Sequence, residues 1–406
     1  MSLRTVDAHL DVVLGAVRPL VPERVALAAA EGLTLAEPLR ALVDVPAFDN
    51  SAMDGFAVRF DDVAAAPVPL RVVADVPAGS GADPVLAPGE AARIMTGAPV
   101  PTSADVVVPF EDTAGGLRDS LGGIEVLRPP RAAGAHIRRR GEDVRAGDEV
   151  LPAGSPLTAF ALSAAAATGH GGDVLVRPRP RVLIVSTGSE LVAPGDALSR
   201  GRIPESNSVL LAGLVREAGA VPARVSPVDD DPAALLRVLA EAEDVDVVLT
   251  SGGVSAGAYE PVKQALAGRI EFVGVAMQPG KPQAFGRLDD GPLVFGLPGN
   301  PVSVAVSFEA FVRPALLALQ GRTALFRPVL RLPAASGWRT PPGRTQYLPS
   351  VVDRRDPGAW SVRPATAGGS GSHLAGGLAR AEAFAVVPAE VDAVAAGDPV
   401  DVMLVS

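Results

Sequence analysis

The sequence predicts a multidomain chain of class α/β plus β, with a central doubly wound α/β domain flanked by β-rich domains. Three observations support this. With 406 residues, the chain is too long for one ordinary core, and about 150 residues per domain suggests about three domains. From residue 181, buried strand-like runs alternate with helical stretches. Before and after that segment, short β-branched runs are separated by Gly and Pro.

The first element is predicted to be an amphipathic helix within residues 5–20, which Pro19 and Pro22 interrupt. Its apolar residues recur at the spacing of one helical face: Val6, Leu10, Val13, Leu14 and Val17. Between about residues 45 and 140, runs such as 71–76 and 106–110 predict a small β-rich domain.

The central segment is predicted to alternate strands with helices. The strand runs are residues 182–185, 245–250 and 293–295, with helices near 206–218 and up to residue 319. After Gly321, strand candidates such as 350–352 and 384–387 predict a C-terminal β-domain.

Composition excludes several classes of protein. With 48% hydrophobic and 20% charged residues the chain should be globular, and a net charge of −10 disfavours nucleic acid as a partner. The absence of cysteine excludes disulfides, zinc–thiolate sites and cysteine nucleophiles. We find no signal peptide and expect no stretch apolar enough to span a bilayer, so we predict a cytoplasmic protein without membrane contacts.

Three loops after predicted strands have the composition of an anion-binding crevice, which in an open α/β sheet lies beyond the carboxyl ends of the strands. Their glycines let the backbone approach phosphate, and their hydroxyls are expected to add hydrogen-bond donors. Each loop alone could equally be a tight connection. The loops contain Ser186, Thr187, Gly188 and Glu190; Ser251, Gly252, Gly253 and Ser255; and Pro298, Gly299 and Asn300.

Rare residue types collect near these loops. Lys263 and Lys281 are the two lysines of an arginine-rich chain, and the three asparagines are Asn50, Asn207 and Asn300. Lys281 follows Pro-Gly on a stiff turn, where a fixed ammonium suits an oxyanion, although a solvated surface lysine is the alternative.

Acidic residues at the same edge could hold a magnesium ion that bridges phosphates. The candidates are Glu190, Glu260 and the run 229–231, which includes Asp230. Capping of the helix after Pro232 is at least as good an interpretation for one residue of that run. We interpret the basic run at residues 138–140 as a structural salt-bridge cluster.

Five strings resemble the molybdopterin molybdenumtransferase family, which includes bacterial MoeA and the E domain of gephyrin. The resemblance covers nearly the whole chain, and DNSAMDG is its most specific string. The strings are DNSAMDG at 49–55, RIMTGAP at 93–99, residues 137–143, SGGVS at 251–255 and LPGNP at 297–301.

The resemblance implies an elongated homodimer with four domains per chain and an active-site cleft shared between subunits. The domains would be residues 1–44 with 140–176, 45–139, 177–320 and 321–406, the third of them similar to pterin adenylyltransferases. The implied reaction takes adenylylated molybdopterin and molybdate, cleaves the pyrophosphate link with help from Mg²⁺, and releases AMP and molybdenum cofactor. A molybdopterin adenylyltransferase would act upstream.

The resemblance also implies roles for single residues. Asp54 and Thr96 would face the partner's cleft, and Glu190, Asp230 and Glu260 would place Mg²⁺. Lys281 and Arg344, with Ser372, would hold molybdate. The loop residues above and Lys263 complete the predicted substrate-binding set.

The chain departs from the family pattern at Gln278, where lysine is usual, at Glu260, where aspartate is usual, and at Gly274, which is often basic. Two alternatives stay open. One is a molybdopterin adenylyltransferase, which shares the α/β loops but would not need DNSAMDG; the other is a non-catalytic scaffold paralogue.

Overall fold

The computed structural model describes residues 3–116, 121–224, 227–242, 244–254, 260–366 and 375–405. The first element is the predicted helix α1, Val6–Ala16, capped by Thr5, whose hydroxyl accepts the Ala8 N–H at 3.2 Å. Its buried residues pack into the core of the α/β domain rather than against the neighbouring short strands. The assignment of residues 1–44 with 140–176 to one domain stays a prediction.

Short strands follow the helix and meet a later part of the chain. They are β1 Glu23–Ala26, β2 Thr34–Leu35 and β3 Leu39–Arg40.

The next segment forms a five-stranded sheet, as the sequence predicts for a β-rich insertion. The strand order is β8-β5-β7-β6-β9, and β6 and β7 are parallel. Both faces of the sheet carry buried apolar residues. The elements are β4 Asn50–Ser51, β5 Gly55–Val58, α2 Phe60–Val63, β6 Val68–Val76, β7 Glu90–Ile94, β8 Val106–Pro109, β9 Gly122–Val126 and β10 Ile137–Arg138.

The chain then returns to the first short strands through β11 Glu149–Leu151, α3 Ala159–Ala167 and β12 Asp173–Arg177. Strand β12 pairs antiparallel with β1 and β2, and β11 pairs with β3. These elements share one small core, so the β-rich sheet is inserted into a unit made from two separate stretches of chain.

The α/β domain contains a mixed six-stranded sheet in the order β16-β13-β17-β21-β20-β18. The first four strands are parallel to one another. Strand β20 runs antiparallel to β21, and β18 runs antiparallel to β20. One apolar cluster packs α4, α7 and α8 on one face, and a second packs α5 and α6 on the other, so helices cover both faces as predicted. The elements are β13 Arg181–Ser186, β14 Leu191–Val192, β15 Ile203–Pro204, α4 Asn207–Glu217, β16 Val221–Arg224, α5 Pro232–Glu241, β17 Val247–Ser251, α6 Pro261–Leu266, β18 Glu271–Gly274, β19 Met277–Gln278, β20 Pro282–Arg287, β21 Leu293–Leu297, α7 Pro301–Ser307 and α8 Arg313–Leu319.

Helices α7 and α8 are joined by a π-helical turn, Phe308–Val312, into one helix, Pro301–Leu319. This helix is long and apolar enough to cross a membrane, with a mean hydropathy of 1.7, so the expectation that no stretch reaches that level is wrong. However, 83% of it is buried inside the protein, which makes it a core helix of the α/β domain.

The C-terminal part is the predicted β-domain, whose sheet has the order β19-β24-β26-β28-β22, with β25 beside β24. Strand β19 belongs to the α/β segment and lies parallel to β24, so the two domains share a sheet edge. The elements are β22 Val329–Pro333, β23 Trp338–Arg339, β24 Thr345–Asp353, β25 Ser361–Pro364, α9 Ala375–Leu378, β26 Ala383–Val387, β27 Ala393–Val394 and β28 Pro399–Leu404.

Candidate active site

A pocket of about 520 Å³ opens at the carboxyl ends of β13, β17 and β21, where the three predicted loops meet. Parallel strands place these ends at one edge of the sheet, which is the usual ligand position in an open α/β fold. The predicted site residues that line it are Thr187, Gly188, Glu190, Asp230, Ser251, Gly252, Gly253, Glu260, Lys281, Pro298, Gly299 and Asn300.

Backbone hydrogen bonds fix the three loops to one another. Thr187 N donates to Ser251 O at 3.0 Å, and Gly252 N donates to Leu297 O at 3.0 Å. Gly252 has a φ of +90°, and a Cβ there would lie 2.7 Å from the Thr187 carbonyl oxygen. The second loop therefore requires glycine at this position for both its conformation and its space.

The loop hydroxyls make hydrogen bonds within the protein. Ser186 is fully buried and donates to a carboxylate oxygen of Glu205 at 2.8 Å. Ser251 donates to Ser186 Oγ at 3.2 Å, and Thr187 donates to Ser251 O at 3.4 Å. Each hydroxyl has one hydrogen, and in this structure all three direct it to an acceptor within the protein, so their role as phosphate donors stays a prediction. Ser186 also does not line the pocket.

The three predicted metal ligands lie around one pocket but do not form a compact cluster. Within the described ranges, no group of three or more His, Asp and Glu side chains is placed to hold one ion. Asp230 accepts hydrogen bonds from Ser189 N at 3.1 Å and from Ser189 Oγ at 2.9 Å. Its neighbour Asp231 caps α5 through Ala233 N, at 2.9 Å, so the capping interpretation is confirmed for that residue.

The carboxylates at the pocket can still bind a magnesium ion. Such an ion usually keeps several waters and binds one or two carboxylates together with substrate phosphates. Glu190 and Asp230 line the pocket from the first loop and from the segment before α5. A site completed by the substrate is thus compatible with the residues present.

Cationic residues flank the pocket on the side of the C-terminal domain. Lys281 is exposed and lines the pocket together with Gln278. Arg344 does not line it, and its Nη1 donates to Gln278 Oε1 at 3.1 Å beside the β19–β24 pair. Lys263 lies with Lys281 on a neighbouring pocket of about 260 Å³ instead.

Asp54 and Thr96 form a separate exposed pair in the inserted domain and do not line this pocket. One carboxylate oxygen of Asp54 accepts Thr96 N at 2.6 Å and Thr96 Oγ1 at 2.7 Å. These hydrogen bonds, the backbone one above all, lower the pKa of Asp54. Ser255 and Ser372 lie outside the described residues.

Of three polar residues at the pocket, only Glu205 escaped the sequence analysis; Asn207 was noted as a rare asparagine and Gln278 as a departure from the family pattern. Glu205, 3% exposed, supports the loops from behind, Asn207 donates its amide to Gly299 O at 2.6 Å, and Gln278 contacts Arg344. The scarcity of asparagine and the departure at Gln278 were usable signals for those two residues, whereas a single glutamate such as Glu205 carries none.

The basic run at residues 138–140 has the structural role that the sequence analysis gave it. Arg139 Nη1 contacts an Asp49 carboxylate oxygen at 2.6 Å, and Arg140 pairs with Asp44. These ion pairs link the segment through which the chain enters the inserted domain, at residues 44–49, to the segment through which it leaves, at residues 139–140.

Comparisons with known proteins bear on the whole chain. Residues 4–169 match the MoeA N-terminal region (domain I and II), residues 183–318 a probable molybdopterin binding domain, and residues 331–405 the MoeA C-terminal region (domain IV).

Curated relatives and solved structures agree with these matches. Molybdopterin molybdenumtransferase 2 of Mycobacterium tuberculosis is 43% identical over 98% of this chain and 99% of its own length. Molybdopterin molybdenumtransferase of Nostoc sp. is 38% identical over 90% of this chain and 85% of its own. A crystal structure of molybdopterin biosynthesis moeA protein from Pyrococcus horikoshii OT3 covers 100% of both chains with a TM-score of 0.83 at 28% identity.

Proposed function

Because this chain belongs to the MoeA family of molybdopterin molybdenumtransferases, we propose that it inserts molybdate into adenylylated molybdopterin and releases AMP and molybdenum cofactor. The observation that carries the proposal is the pocket at the strand ends, where three glycine-containing loops and Lys281 surround a volume suited to a phosphate-bearing ligand.

In this proposal the site residues form a molybdate-binding set and a magnesium-binding set. Lys281, with Arg344 and Ser372 of the C-terminal segment, would hold the molybdate dianion through charge-assisted hydrogen bonds. Glu190, Asp230 and Glu260 also line the pocket and would hold Mg²⁺ with the pyrophosphate. The ion would supply neutralisation of charge on the pyrophosphate oxygens. The loop backbone and Asn300 would orient the substrate, with Lys263 on the adjoining pocket.

We include a shared active site in a homodimer in this proposal. Asp54 and Thr96 are exposed and lie outside the pocket of their own chain, so a second subunit is needed for them to act on bound substrate. Mixing Asp54→Ala and Glu190→Ala subunits should then restore activity in heterodimers that carry one intact site. Failure of the mixture to recover activity, with exchange of subunits demonstrated, would refute the shared site.

The reaction itself is tested by single-turnover AMP release from adenylylated molybdopterin with magnesium, in the presence and absence of molybdate. We expect release that depends on molybdate. Release without that dependence, or none despite binding of the substrate, would refute the transferase. Incubation with ATP and molybdopterin tests the adenylyltransferase alternative in the same preparation. A cytoplasmic location and an upstream adenylyltransferase stay predictions.

Lys281 offers a test of the oxyanion side. Lys281→Ala should weaken molybdate binding strongly. It should lower the melting temperature only slightly, because the side chain is exposed. Lys281→Arg keeps the charge and is the matched control, expected to retain part of the affinity. Equal losses in both variants would show that charge is not what Lys281 contributes.

A further inference from the structure

A buried hydrogen-bonded chain leads from the pocket wall into the α/β domain. Ser251 Oγ lies 3.2 Å from Ser186 Oγ, which lies 2.8 Å from Glu205 Oε1. The same Oε1 receives the Ser208 backbone N–H at 2.8 Å, and the Ser208 hydroxyl donates to Oε2. Ser251 and Glu205 are 2% and 3% exposed, so water does not compete strongly along this chain.

The direction of each hydrogen bond follows from counting hydrogens. A backbone N–H can only donate, so Glu205 Oε1 is an acceptor and Ser186 must donate to it. Ser186 has then used its one hydrogen and can only accept from Ser251. The Ser251 hydrogen is therefore directed to Ser186, so this hydroxyl, on a residue that lines the pocket, has only lone pairs left for a ligand.

A second pocket residue is oriented in the same way. Asn207 Nδ2 donates to Gly299 O at 2.6 Å, and a carbonyl can only accept, so Asn207 Oδ1 must be the free end of the amide. This oxygen is buried and, among the described residues, has no hydrogen-bond partner. A buried acceptor without a partner is costly unless a ligand satisfies it.

We infer that Ser251 Oγ and Asn207 Oδ1 form an acceptor wall, which binds N–H or O–H groups of the nucleoside or pterin part of the substrate, and that Glu205 is the positioning residue that sets its polarity. The substrate class rests on the proposed function, but the acceptor polarity does not. The anionic oxygens of the same ligand would be repelled by these lone pairs and by the Glu205 carboxylate behind them. They would bind toward the loop N–H groups and Lys281 instead.

Binding assays with purified full-length protein test this inference. AMP and neopterin phosphate carry N–H and O–H donors on a nucleoside and on a pterin, and comparison of the two identifies which part the wall binds. Pyrophosphate at pH 8 presents almost only acceptors. Ser251→Ala should weaken at least one of the two donor-bearing ligands about fivefold to tenfold and leave pyrophosphate within about twofold.

Ser186→Ala tests the chain behind the wall, since it frees the Ser251 hydrogen without touching the pocket surface. It should weaken the same ligand in the wild-type background and have no further effect in the Ser251→Ala background. Glu205→Gln is the conservative variant. The Ser208 N–H holds its amide oxygen at the Oε1 position, so affinity should stay within about twofold. Glu205→Leu removes the acceptor and should lose affinity as Ser186→Ala does; if it fails to fold, the serine variants carry the test.

Three results would overturn the inference: no wild-type binding of either donor-bearing ligand, a loss of pyrophosphate affinity in Ser251→Ala equal to the loss for AMP or neopterin phosphate, or additive effects of the two serine substitutions. A protein that shows the expected binding pattern yet releases no AMP in response to molybdate would refute the proposed function and leave the acceptor wall intact.

Discussion

Glu309 and Glu217 contact the same arginine from a buried and an exposed position, which makes them a matched pair for a stability test. Both oxygens of Glu309 accept from Arg327, through Nε and Nη2, at 2.9 Å each. Glu217 lies 3.6 Å from the same guanidinium. The exposed fractions of the two glutamate side chains are 2% and 59%.

The two substitutions should differ several-fold in free energy of unfolding. Glu309→Gln leaves Arg327 without its two-point carboxylate, and it also removes the negative charge 3.7 Å from Arg313, whose pKa burial already lowers. Breaking a buried ion pair in this way costs about 3–5 kcal/mol. Glu217→Gln removes an exposed pair and should cost about 0–1 kcal/mol.

Urea unfolding followed by tryptophan fluorescence is the appropriate assay, because both tryptophans, Trp338 and Trp360, lie in the C-terminal β-domain, whose first strand, β22, begins two residues after Arg327. At 1 M salt, where the screening length is about 3 Å, the small Glu217→Gln effect should vanish and the Glu309→Gln effect should persist. Equal costs for the two variants, or a Glu309→Gln effect that salt abolishes, would refute the assignment of Glu309 as the buried anchor.

Three further predictions concern the site and the N-terminal helix. Gly252→Ala and Gly268→Ala both place alanine at positive φ, but only at position 252 does the new Cβ meet backbone. Gly252→Ala alone should therefore abolish pyrophosphate binding, measured by calorimetry. Equal losses of pyrophosphate affinity in the two variants would contradict the packing argument. Burial lowers the pKa of His9 to about 4, so the unfolded chain binds more protons between about pH 6.5 and pH 4, and stability should fall as the pH drops through that window by up to about 3 kcal/mol. His9→Met should flatten this dependence in acid titrations of unfolding, and an unchanged slope would contradict it. Thr96→Ala should raise the pKa of Asp54 in carboxyl NMR titration but leave it below its usual value, because the backbone N–H still donates; a full return to the usual value would show that the hydroxyl dominates.

Local patterns predicted the elements that form by local rules. The apolar spacing of α1, the strand runs 182–185 and 293–295, and the Gly-rich loops after them are all confirmed. The meeting of the three loops also followed from sequence, because consecutive parallel strands place their carboxyl ends at one edge of a sheet. The resemblance of DNSAMDG and the other strings predicted the family that the comparisons show.

Other features depended on contacts between distant residues. The buried face of α1 is visible in the sequence, but its partner is not, and it packs on the α/β domain. Strand β19 joins the sheet of the following domain, and no local pattern indicates that pairing. Glu190, Asp230 and Glu260 were correctly placed around one pocket, yet their sequence positions could not show that they form no compact metal cluster in the described chain.

The sequence by itself determined the family, the α/β and β elements and the edge of the sheet where the pocket lies. The tertiary structure decided what each polar group in that pocket can do. The hydroxyls of Ser186 and Ser251 can donate or accept, and their position in Gly-rich loops predicts that they donate to phosphate. A hydroxyl has one hydrogen, and its direction is set by the strongest acceptor within reach. Here that acceptor is Glu205, a residue 19 positions from Ser186, which only the folded chain brings against the loops.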